Sequence, residues 1–366
     1  MKKILQIIPS FNKSWGGPRK MVEELSNHII NEKFGNVDIL CTNVFGDYSK
    51  SKNEHINIYQ FKTSIYNPIW IGHSNDFMKF INERIYEYDV LHIHEMWHYL
   101  HYYSIKLASK HKIPYIVTPH GGLEKRRLSS IKKKLFFRLI EKKICENAKY
   151  IHALTEFEEN DILLSCPNAT TRVIPNGINK APQAEKINLV LNKFNINKSS
   201  KIILFLGRLH KDKGIDLLIN SFKRIKEKSW VLIIAGPDEH NYEQKYRNQK
   251  NIIFTGLVEG NQKACLFEIC DVFILPSFGE GFSISVLEAM SYKKPLIISN
   301  FCYFPDIKKH NAGLIIELSE ESIISALNKI LNNDELKSEM GNNSFRLVRE
   351  KYDDKSIYNQ IIDLYK

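Results

Sequence analysis

The chain has 366 residues, of which 43% are hydrophobic and 25% charged, the composition of an ordinary soluble globular protein. Its length predicts two domains, and no hydrophobic run is long enough to span a membrane. Lys and Arg number 52 against 41 Asp and Glu, and the net charge of +11 favours an anionic partner such as a phosphate ester, an acidic membrane surface or nucleic acid. The six cysteines form no CxxC pair, which predicts buried thiols in a reducing compartment rather than disulfides or a zinc framework.

The first part of the chain predicts strands alternating with helices, as in a Rossmann-like domain. A buried strand at residues 3–8 leads into Gly16 and Gly17, and a helix with regularly spaced apolar residues follows. From the residues alone, the two glycines fit a simple turn and a close approach of the backbone to a phosphate or sugar equally well. The next predicted elements are strands at 37–41 and 56–61 and a helix at 76–87.

Histidines stand at the ends of the two strands that follow. The strand at 90–93 runs into His94, and the strand at 115–118 precedes His120 and Gly121. Because the carboxyl ends of parallel strands line the ligand crevice of such a sheet, these residues are candidates for a site. The HxH spacing also fits a metal ion, but no third ligand stands at a clear spacing, so histidines that line or support the site are favoured over zinc.

Residues 124–143 are strongly basic, with nine Lys or Arg against two Glu. Apolar residues recur through the segment at helical spacing and predict an amphipathic helix. Such a helix either buries its apolar stripe in its own domain or lies on an anionic membrane, and the one-sided charge favours the membrane. Nucleic acid is disfavoured because the interleaved residues are mainly aliphatic rather than aromatic.

Two smaller motifs close the first half. A strand at 148–154 leads into a helix whose start has the form of a capping box, with Thr155 as the N-cap and Glu158 at the third helical position. The dipeptide Asn176-Gly177 predicts a turn. The polar residues 179–200 predict a linker that runs into a short helix.

The strand–loop–helix pattern then restarts, which indicates a second Rossmann-like domain. A buried strand at 202–206 is followed by Arg208, Lys213 and Gly214, after which a helix begins. On an ordinary surface these two cations would be unremarkable, but at the carboxyl end of a strand they could neutralise a diphosphate. The later predicted elements are strands ending before Gly236 and at Gly256, strands at 271–275, 295–300 and 312–316, and helices at 320–349 and 352–366.

The stretch SFGEGFSISVLEAM, residues 277–290, predicts a glycine turn followed by a helix. The unpaired amides of that helix end would favour an anion. Glu280 lies in the turn, and Glu288 is expected about two turns into the helix on the same side, where carboxylates could accept hydroxyl groups of a sugar nucleotide. The plainer alternative is that Glu280 caps the helix and Glu288 is solvated.

Glu280 and Glu288 resemble the E-x7-E signature of retaining glycosyltransferases of family 4, which have the GT-B fold. Each motif alone is weak, but five in the family's order are specific. The others are the Gly16-Gly17 loop, the TPHG turn at His120, the PNG turn at Asn176-Gly177 and the GR…KG motif at Arg208, Lys213 and Gly214.

The resemblance implies an α/β protein of the GT-B fold, with two Rossmann-like domains facing each other across a cleft. An N-terminal acceptor-binding domain would span 1–180, a C-terminal nucleotide-sugar-binding domain 181–350, and a terminal helix at 351–366 would cross back to the first domain. The implied catalytic residues are His120, Glu280, Arg208 and Lys213, and the implied acceptor side is His94, His120 and Gly121. The implied donor-binding residues are Gly16, Gly17, Arg208, Lys213, Gly236, Leu257, Val258, Glu280, Gly281, Phe282, Ser283 and Glu288.

The implied reaction moves a sugar from a nucleotide-diphosphate sugar to a hydroxyl group with retention of configuration, and uses neither a metal nor a cofactor. The expected acceptor is a glycan or lipid-linked intermediate of cell-surface polysaccharide assembly. The expected location is cytoplasmic, peripheral to the inner face of the cell membrane, with an anionic membrane surface and no nucleic acid as partner. The alternatives are a GT-B nucleotide-sugar epimerase, disfavoured by the combination of E-x7-E and GR…KG, and a basic protein that binds nucleic acid or membrane.

Overall fold

The computed structural model describes residues 1–12, 15–44, 46–47, 53–67, 70–123, 137–179, 181–197, 199–227 and 229–366. These residues divide into two compact units. The N-terminal unit comprises Met1–Gly177 and Lys355–Lys366, and the C-terminal unit comprises Ile178–Asp354. The sequence-based division placed these boundaries at 180/181 and 350/351.

Within the described part of the N-terminal unit, seven parallel strands form one sheet. The strands are β1 (Lys2–Ile7), β2 (Gly35–Thr42), β3 (Asn57–Phe61), β4 (Val90–His94), β5 (Tyr115–Thr118), β6 (Tyr150–Ala153) and β7 (Thr171–Val173). Their order across the sheet is β3-β2-β1-β4-β5-β6-β7. The central strands are mostly buried because helices cover both faces of a parallel sheet, and all five residues of β4, including His92 and His94, are buried.

Helices of this unit pack on the sheet through their apolar stripes. They are α1 (Gly17–Asn31), α2 (Asn75–Arg84), α3 (Tyr99–His111), α4 (Lys142–Glu146) and α5 (Glu156–Ser165), joined by the terminal helix Asp354–Leu364. The terminal helix buries Ile357 and Ile361 in the same core as Ile4 and Val22. The last residues of the chain therefore belong to the core of the N-terminal unit.

The described residues of the C-terminal unit contain a second parallel sheet, of six strands. The strands are β8 (Lys201–Leu206), β9 (Trp230–Ala235), β10 (Ile252–Gly256), β11 (Val272–Leu275), β12 (Leu296–Ser299) and β13 (Gly313–Ile316). Their order is β10-β9-β8-β11-β12-β13. The helices are α6 (Ile187–Lys193), α7 (Ile215–Lys223), α8 (Tyr242–Tyr246), α9 (Gly260–Ile269), α10 (Ile284–Ser291), α11 (Asp306–Lys309), α12 (Glu320–Leu331) and α13 (Asp334–Lys351).

Residues 320–349 are helical, as predicted, but two helices rather than one occupy this stretch. Helix α12 ends at Leu331, and Asn333 begins α13 by accepting a hydrogen bond from the Leu336 amide through its side chain. Asparagine is a strong N-cap, so a helix begins anew there. The apolar period runs through both helices and conceals the break.

Three sequence predictions concern the chain as a whole. All six cysteines are buried and none forms a disulfide, as predicted. Among the described residues, no helix is both long and apolar enough to cross a membrane. Most of the basic segment at 124–143, namely residues 124–136, lies outside the described residues, so its amphipathic helix stays a prediction.

Candidate active site

In each sheet, successive strands are first added toward one edge and then toward the other, so the strand order reverses at one point. The predicted site residues lie near these two points. In the N-terminal unit the reversal falls between β1 and β4, and in the C-terminal unit between β8 and β11. Loops that leave adjacent strands there diverge to opposite sides of the sheet and leave a crevice at the carboxyl ends, which is where ligands bind in open α/β sheets.

At the reversal in the C-terminal unit, Lys213 forms an ion pair with Glu280. The distance from Lys213 Nζ to Glu280 Oε1 is 2.5 Å, and the two side chains are only 18% and 10% exposed. Lys213 ends a short 3-10 turn after β8, whereas Glu280 lies in the loop after β11. Two residues 67 positions apart in sequence are thus brought together because their strands are neighbours.

Close backbone contacts hold these loops in place. The amide of Phe278 donates to the Asp212 carbonyl at 2.7 Å, which ties the loop after β11 to the turn after β8. Gly214 adopts a φ of +70°, and a Cβ atom there would lie 2.1 Å from the Pro276 carbonyl oxygen. Only glycine allows that approach, so the glycine of the GR…KG motif is required for loop packing whatever its role toward a ligand.

Helix α10 presents its N-terminus beside this loop. It begins at Ile284, after Ser283 as N-cap, and the Ser283 hydroxyl lies 3.1 Å from that of Ser285 without capping the helix. No side chain caps this end among the described residues, so its first amides and the positive end of the helix dipole can face an anion.

Glu288 is the fifth residue of α10, little more than one turn from its start, so the predicted two turns are wrong. The helix starts two residues later than the apolar pattern suggested, since Phe282 packs outside it against the rings of Phe304 and Tyr352. Glu288 is buried and pairs with Lys263 at 2.8 Å, so the alternative of a solvated Glu288 is also wrong.

The remaining predicted donor residues differ in their surroundings. Arg208 forms a 3.1 Å pair with Glu239, and both side chains are more than a third exposed. Gly236 has a φ of +139°, and a Cβ atom there would lie 1.9 Å from the Gly207 carbonyl oxygen. Leu257 is half exposed, whereas Val258 is buried. Gly281 is partly buried in the loop before α10.

In the N-terminal unit, Gly16 is the N-cap of α1, and Gly17 is the first residue of the helix. Gly16 has a φ of +77°, and a Cβ atom built there would meet no described residue within 4 Å. The need for glycine at this position is therefore conformational, because residues with a side chain rarely adopt this φ.

His94 and His120 lie in contact at the carboxyl ends of β4 and β5. His94 Nδ1 is 3.2 Å from His120 Nε2. His94 is fully buried and His120 partly exposed, so His120 is the one that can reach a ligand. His120 has a φ of +51°, a left-handed conformation that is uncommon for a residue with a side chain and that occurs often at functional sites.

Glu158 holds the turn at His120 and Gly121 in place through hydrogen bonds to backbone amides. Its carboxylate accepts the amide of Gly121 at 2.6 Å and that of Leu154 at 2.7 Å. Thr155 caps α5 by accepting the Glu158 amide, as the capping-box pattern predicted, but the Glu158 side chain does not complete that box. The sequence missed its contact with Gly121 because the two residues are 37 positions apart.

Burial keeps the histidines of this region neutral, since desolvation disfavours the charged imidazolium. It lowers the pKa of His120 to about 3 and that of His152 to about 4. It also holds the pKa of His92 and His94 well below the usual value. Among the described residues, no group of three or more His, Cys, Asp or Glu side chains is arranged to hold a metal ion.

The structure thus gathers the predicted residues into two sets. Lys213 with Glu280, Glu288 and the start of α10 lie at the reversal of one sheet, and His94 with His120 and Gly121 at that of the other. The residues that sequence reasoning missed are the partners of these groups: Gln6, His152, Glu158, Lys263 and Tyr365. Of these, Glu158 was predicted only as part of a capping box, and His152, near the end of a strand, carried a recognisable signal.

Two protein-family models match the chain. Residues 15–181 match the model of glycosyltransferase family 4, and residues 186–347 match that of glycosyl transferases group 1. Together the two models account for most of the chain, and the protein belongs to the GT-B glycosyltransferases of the family 4 type that they describe.

Individual relatives agree with this assignment. An uncharacterized glycosyltransferase of Methanocaldococcus jannaschii is 29% identical over 76% of this chain and 75% of its own. The O-antigen chain mannosyltransferase C of Escherichia coli is 23% identical over 76% of this chain and 75% of its own. Among solved structures, Anabaena HepE in complex with UDP-glucose has a TM-score of 0.81 at 16% identity, covering 99% of each chain. This last likeness shows the fold alone.

Proposed function

We propose that this glycosyltransferase moves a sugar from a nucleotide-diphosphate sugar to a hydroxyl acceptor, with retention of the anomeric configuration. The observation that carries the proposal is the ion pair between Lys213 and Glu280, which places a cation and a carboxylate at the reversal of the C-terminal sheet. The solved complex of HepE with UDP-glucose, a protein of the same fold, supports a donor of this class.

The chemical difficulty is departure of the diphosphate. Breaking the bond between the anomeric carbon and the diphosphate oxygen leaves negative charge on the leaving group. Lys213, Arg208 and the first amides of α10 stabilise that charge, and one such preorganised group contributes about 2.7–4 kcal/mol. The exposed pair of Arg208 with Glu239 is weak, so Arg208 can exchange that partner for a phosphate.

The two carboxylates of the E-x7-E motif hold the sugar and the ribose. Glu280 keeps Lys213 on Oε1 and accepts a donor-sugar hydroxyl on its other oxygen, since a carboxylate has about four acceptor positions. Glu288 accepts the ribose hydroxyls, with Lys263 orienting its carboxylate. Glu280 is not a covalent nucleophile in this account, because a carboxylate paired with lysine at 2.5 Å is a weak one.

Retention then follows from attack on the face that the diphosphate leaves. The acceptor oxygen forms the new bond to the anomeric carbon, and its proton passes to the departing phosphate oxygen. The family resemblance assigns His120 to the sugar and the Gly16-Gly17 loop to the approach of the acceptor. No metal or cofactor takes part in this scheme.

The acceptor in this proposal is a glycan or lipid-linked intermediate of cell-surface polysaccharide assembly. The similarity to an O-antigen mannosyltransferase supports that class. The nine basic residues of 124–143 support a cytoplasmic protein held peripherally on an anionic membrane. Sedimentation with acidic and neutral vesicles at low and high salt tests this part, and protein that stays in solution with acidic vesicles at low salt contradicts it.

The reaction itself is tested with a panel of nucleotide sugars, each with and without a lipid-linked acceptor. We expect release of nucleoside diphosphate that depends on the acceptor, and a product whose anomeric configuration matches the donor by NMR. Free sugar or an epimer formed without acceptor would identify an epimerase or hydrolase. A product of inverted configuration would contradict the proposed course of the reaction.

A further inference from the structure

A continuous chain of hydrogen bonds runs through the core of the N-terminal unit and ends at His120. Its interior members come from four strands and from the residue after the terminal helix, and every one of them is at most 1% exposed. They are Gln6, His92, His94, Thr118, His152 and Tyr365. A buried network of this length is fully satisfied only if every donor meets an acceptor, so its hydrogen positions are constrained.

A backbone carbonyl at one end determines which atom donates in each hydrogen bond of this chain. His152 Nε2 lies 2.7 Å from the Ile174 carbonyl oxygen, which can only accept, so Nε2 carries the proton. The neutral ring then has a lone pair on Nδ1, which accepts from the Thr118 hydroxyl at 2.9 Å. With its proton used, the Thr118 oxygen accepts from His92 Nε2 at 2.7 Å.

The same reasoning continues through Tyr365. His92 Nδ1 has the lone pair and accepts from the Tyr365 hydroxyl at 2.6 Å. The Tyr365 oxygen in turn accepts from the Gln6 amide nitrogen at 3.1 Å. This fixes the orientation of the Gln6 amide, because the opposite orientation would place its carbonyl oxygen against a hydroxyl whose proton is already used.

The last two steps reach the site. The Gln6 carbonyl oxygen accepts from His94 Nε2 at 2.6 Å, which leaves the lone pair on His94 Nδ1. His94 Nδ1 therefore accepts from His120 Nε2 at 3.2 Å. His120 carries its proton on Nε2 and its lone pair on Nδ1, and no hydrogen bond to that Nδ1 occurs among the residues that the structure describes.

We propose that this chain is a tautomer lock, in which the Ile174 carbonyl, acting through Tyr365 and Gln6, keeps His120 in the Nε2–H form with Nδ1 as a hydrogen-bond acceptor. Tyr365 is then a positioning residue for His120, although it lies 245 positions away in sequence. The lock itself follows from the hydrogen-bond geometry together with the neutrality of the buried rings. Its use, to receive a hydroxyl of the sugar or the acceptor on Nδ1, rests on the proposed function.

Neutral imidazoles are a condition of this argument, and the burial of the rings meets it. Desolvation lowers the pKa of each of the four histidines that belong to this hydrogen-bond chain. Each of these rings therefore carries a single proton at neutral pH. Two tautomers per ring would otherwise be equally available. The Ile174 carbonyl removes that choice. Changing the tautomer of any one ring would place two lone pairs, or two hydrogen-bond donors, against each other.

The test is the ring-nitrogen NMR spectrum of the full-length protein labelled with ¹⁵N-histidine, with His120 assigned by the His120→Gln variant. In the parent protein we expect His120 as a single neutral tautomer protonated at Nε2. Tyr365→Phe removes one hydroxyl, leaves His92 without its donor and frees the Gln6 amide to turn over. We expect the His120 signals of this variant to shift toward a mixture of tautomers or the Nδ1–H form.

A matched control lies on the preceding helix. Tyr358 is also 1% exposed, and its hydroxyl donates to the Glu24 carboxylate at 2.8 Å. Neither residue belongs to the hydrogen-bond chain that ends at His120. Tyr358→Phe should therefore leave the His120 tautomer unchanged. If Tyr365→Phe does not fold, Thr118→Val breaks the same chain, and Thr118→Ser, which retains the hydroxyl, should restore the parent spectrum.

Two results overturn the lock: an Nδ1–H tautomer of His120 in the parent protein, or an unchanged Nε2–H tautomer in a folded Tyr365→Phe or Thr118→Val variant. Turnover is measured in parallel, and Tyr365→Phe should lose about tenfold in kcat with a smaller change in KM, while Tyr358→Phe should not. If no nucleotide sugar supports transfer, the proposed function fails while the NMR result still decides the lock.

Discussion

The two units build their sites from opposite kinds of polar chemistry. Ten of the 13 histidines lie in the N-terminal unit, and those beneath its site (His92, His94 and His152) are buried, neutral and linked by hydrogen bonds through Gln6, Thr118 and Tyr365. At the equivalent edge of the C-terminal unit, the polar groups are ion pairs of Lys213 with Glu280 and of Lys263 with Glu288. One topology thus carries neutral hydrogen-bonding groups in one unit and ion pairs in the other.

This difference separates two tasks of a sugar transfer. Charge that develops on a diphosphate is best met by fixed cations and helix amides. A sugar hydroxyl needs a neutral acceptor or donor in a defined orientation, which a buried histidine with one fixed tautomer supplies. We therefore expect the two units to respond differently to pH, to loss of a charge and to loss of a hydrogen bond.

The largest expected difference is in acid stability. In the N-terminal unit, burial lowers the folded-state pKa of His92, His94, His101 and His152, so the unfolded chain binds more protons below about pH 6.5. The stability that depends on them is complete above about pH 6.5 and is lost as the pH falls toward their folded-state values. Each histidine can change the free energy of unfolding by up to about 1.4 kcal/mol per pH unit. We therefore expect the N-terminal unit to be several kcal/mol less stable at about pH 5 than at neutral pH.

The C-terminal unit is the internal control for this prediction. Hydrogen bonds to Tyr and Lys side chains lower the pKa of Asp216 and Asp306 against the effect of their burial. Their contribution to stability is therefore lost only at pH values below about 3.8, the usual value for an aspartate. Hydrogen exchange of peptides from each sheet, corrected for intrinsic rates, measures both units at once. Equal losses of protection at about pH 5 would contradict the comparison.

The next largest effect is the loss of one cation from the C-terminal site. Lys213→Met removes the charge while keeping the length of the side chain, and we expect kcat/KM to fall by a factor equivalent to about 2–4 kcal/mol, as for Arg208→Ala. Lys245→Met is the matched control, because Lys245 also pairs with a carboxylate, that of Asp216, but its side chain is more than half exposed. Turnover close to the parent value in Lys213→Met would contradict the role of this residue.

A smaller effect is expected where a carboxylate supports a turn. Glu158→Gln replaces one of the acceptor oxygens that hold the Gly121 and Leu154 amides with a donor, and we expect the free energy of unfolding to fall by about 1–3 kcal/mol. Glu156→Gln, at an exposed position in the first turn of the same helix, should change it by less than about 0.5 kcal/mol. Urea unfolding of both variants decides this, and equal values would show that the buried carboxylate is dispensable.

The smallest expected effect is that of metal removal. Since the proposed scheme relies on Lys213, Arg208 and helix amides for charge, we expect turnover in EDTA to stay within about twofold of the untreated rate. Full loss of turnover in EDTA that magnesium or manganese restores would contradict a metal-independent reaction.

The sequence predicted the strands and the ends of the site loops because both depend on local patterns. Apolar runs followed by glycines located β8 and β11, and Lys213 and Glu280 lie at their ends. The start of α10 was misplaced by two residues because Phe282 extends the apolar period without joining the helix. Periodicity reports which residues are buried, and a buried residue just before a helix looks the same as one inside it.

Partners from distant parts of the chain could not be predicted in the same way. The hydrogen bonds of His92 with Tyr365 and of Glu158 with Gly121 depend on which strands become neighbours. His94 and His120 were recognisable because each follows a strand, but the orientation of their rings depends on Gln6 and Tyr365. Neither of these two residues stands out in the sequence, since a single Gln or Tyr in an apolar run carries no motif.

The division of tasks is tested most directly by calorimetric binding of nucleoside diphosphates to the parent protein, Lys213→Met and His120→Gln. We expect Lys213→Met to weaken binding of the preferred nucleoside diphosphate by about tenfold or more, and His120→Gln to leave its affinity within about twofold, although both variants lose turnover. If His120→Gln weakens binding as much as Lys213→Met, or if neither does, the charge-binding and hydroxyl-binding roles are not divided between the two units as described.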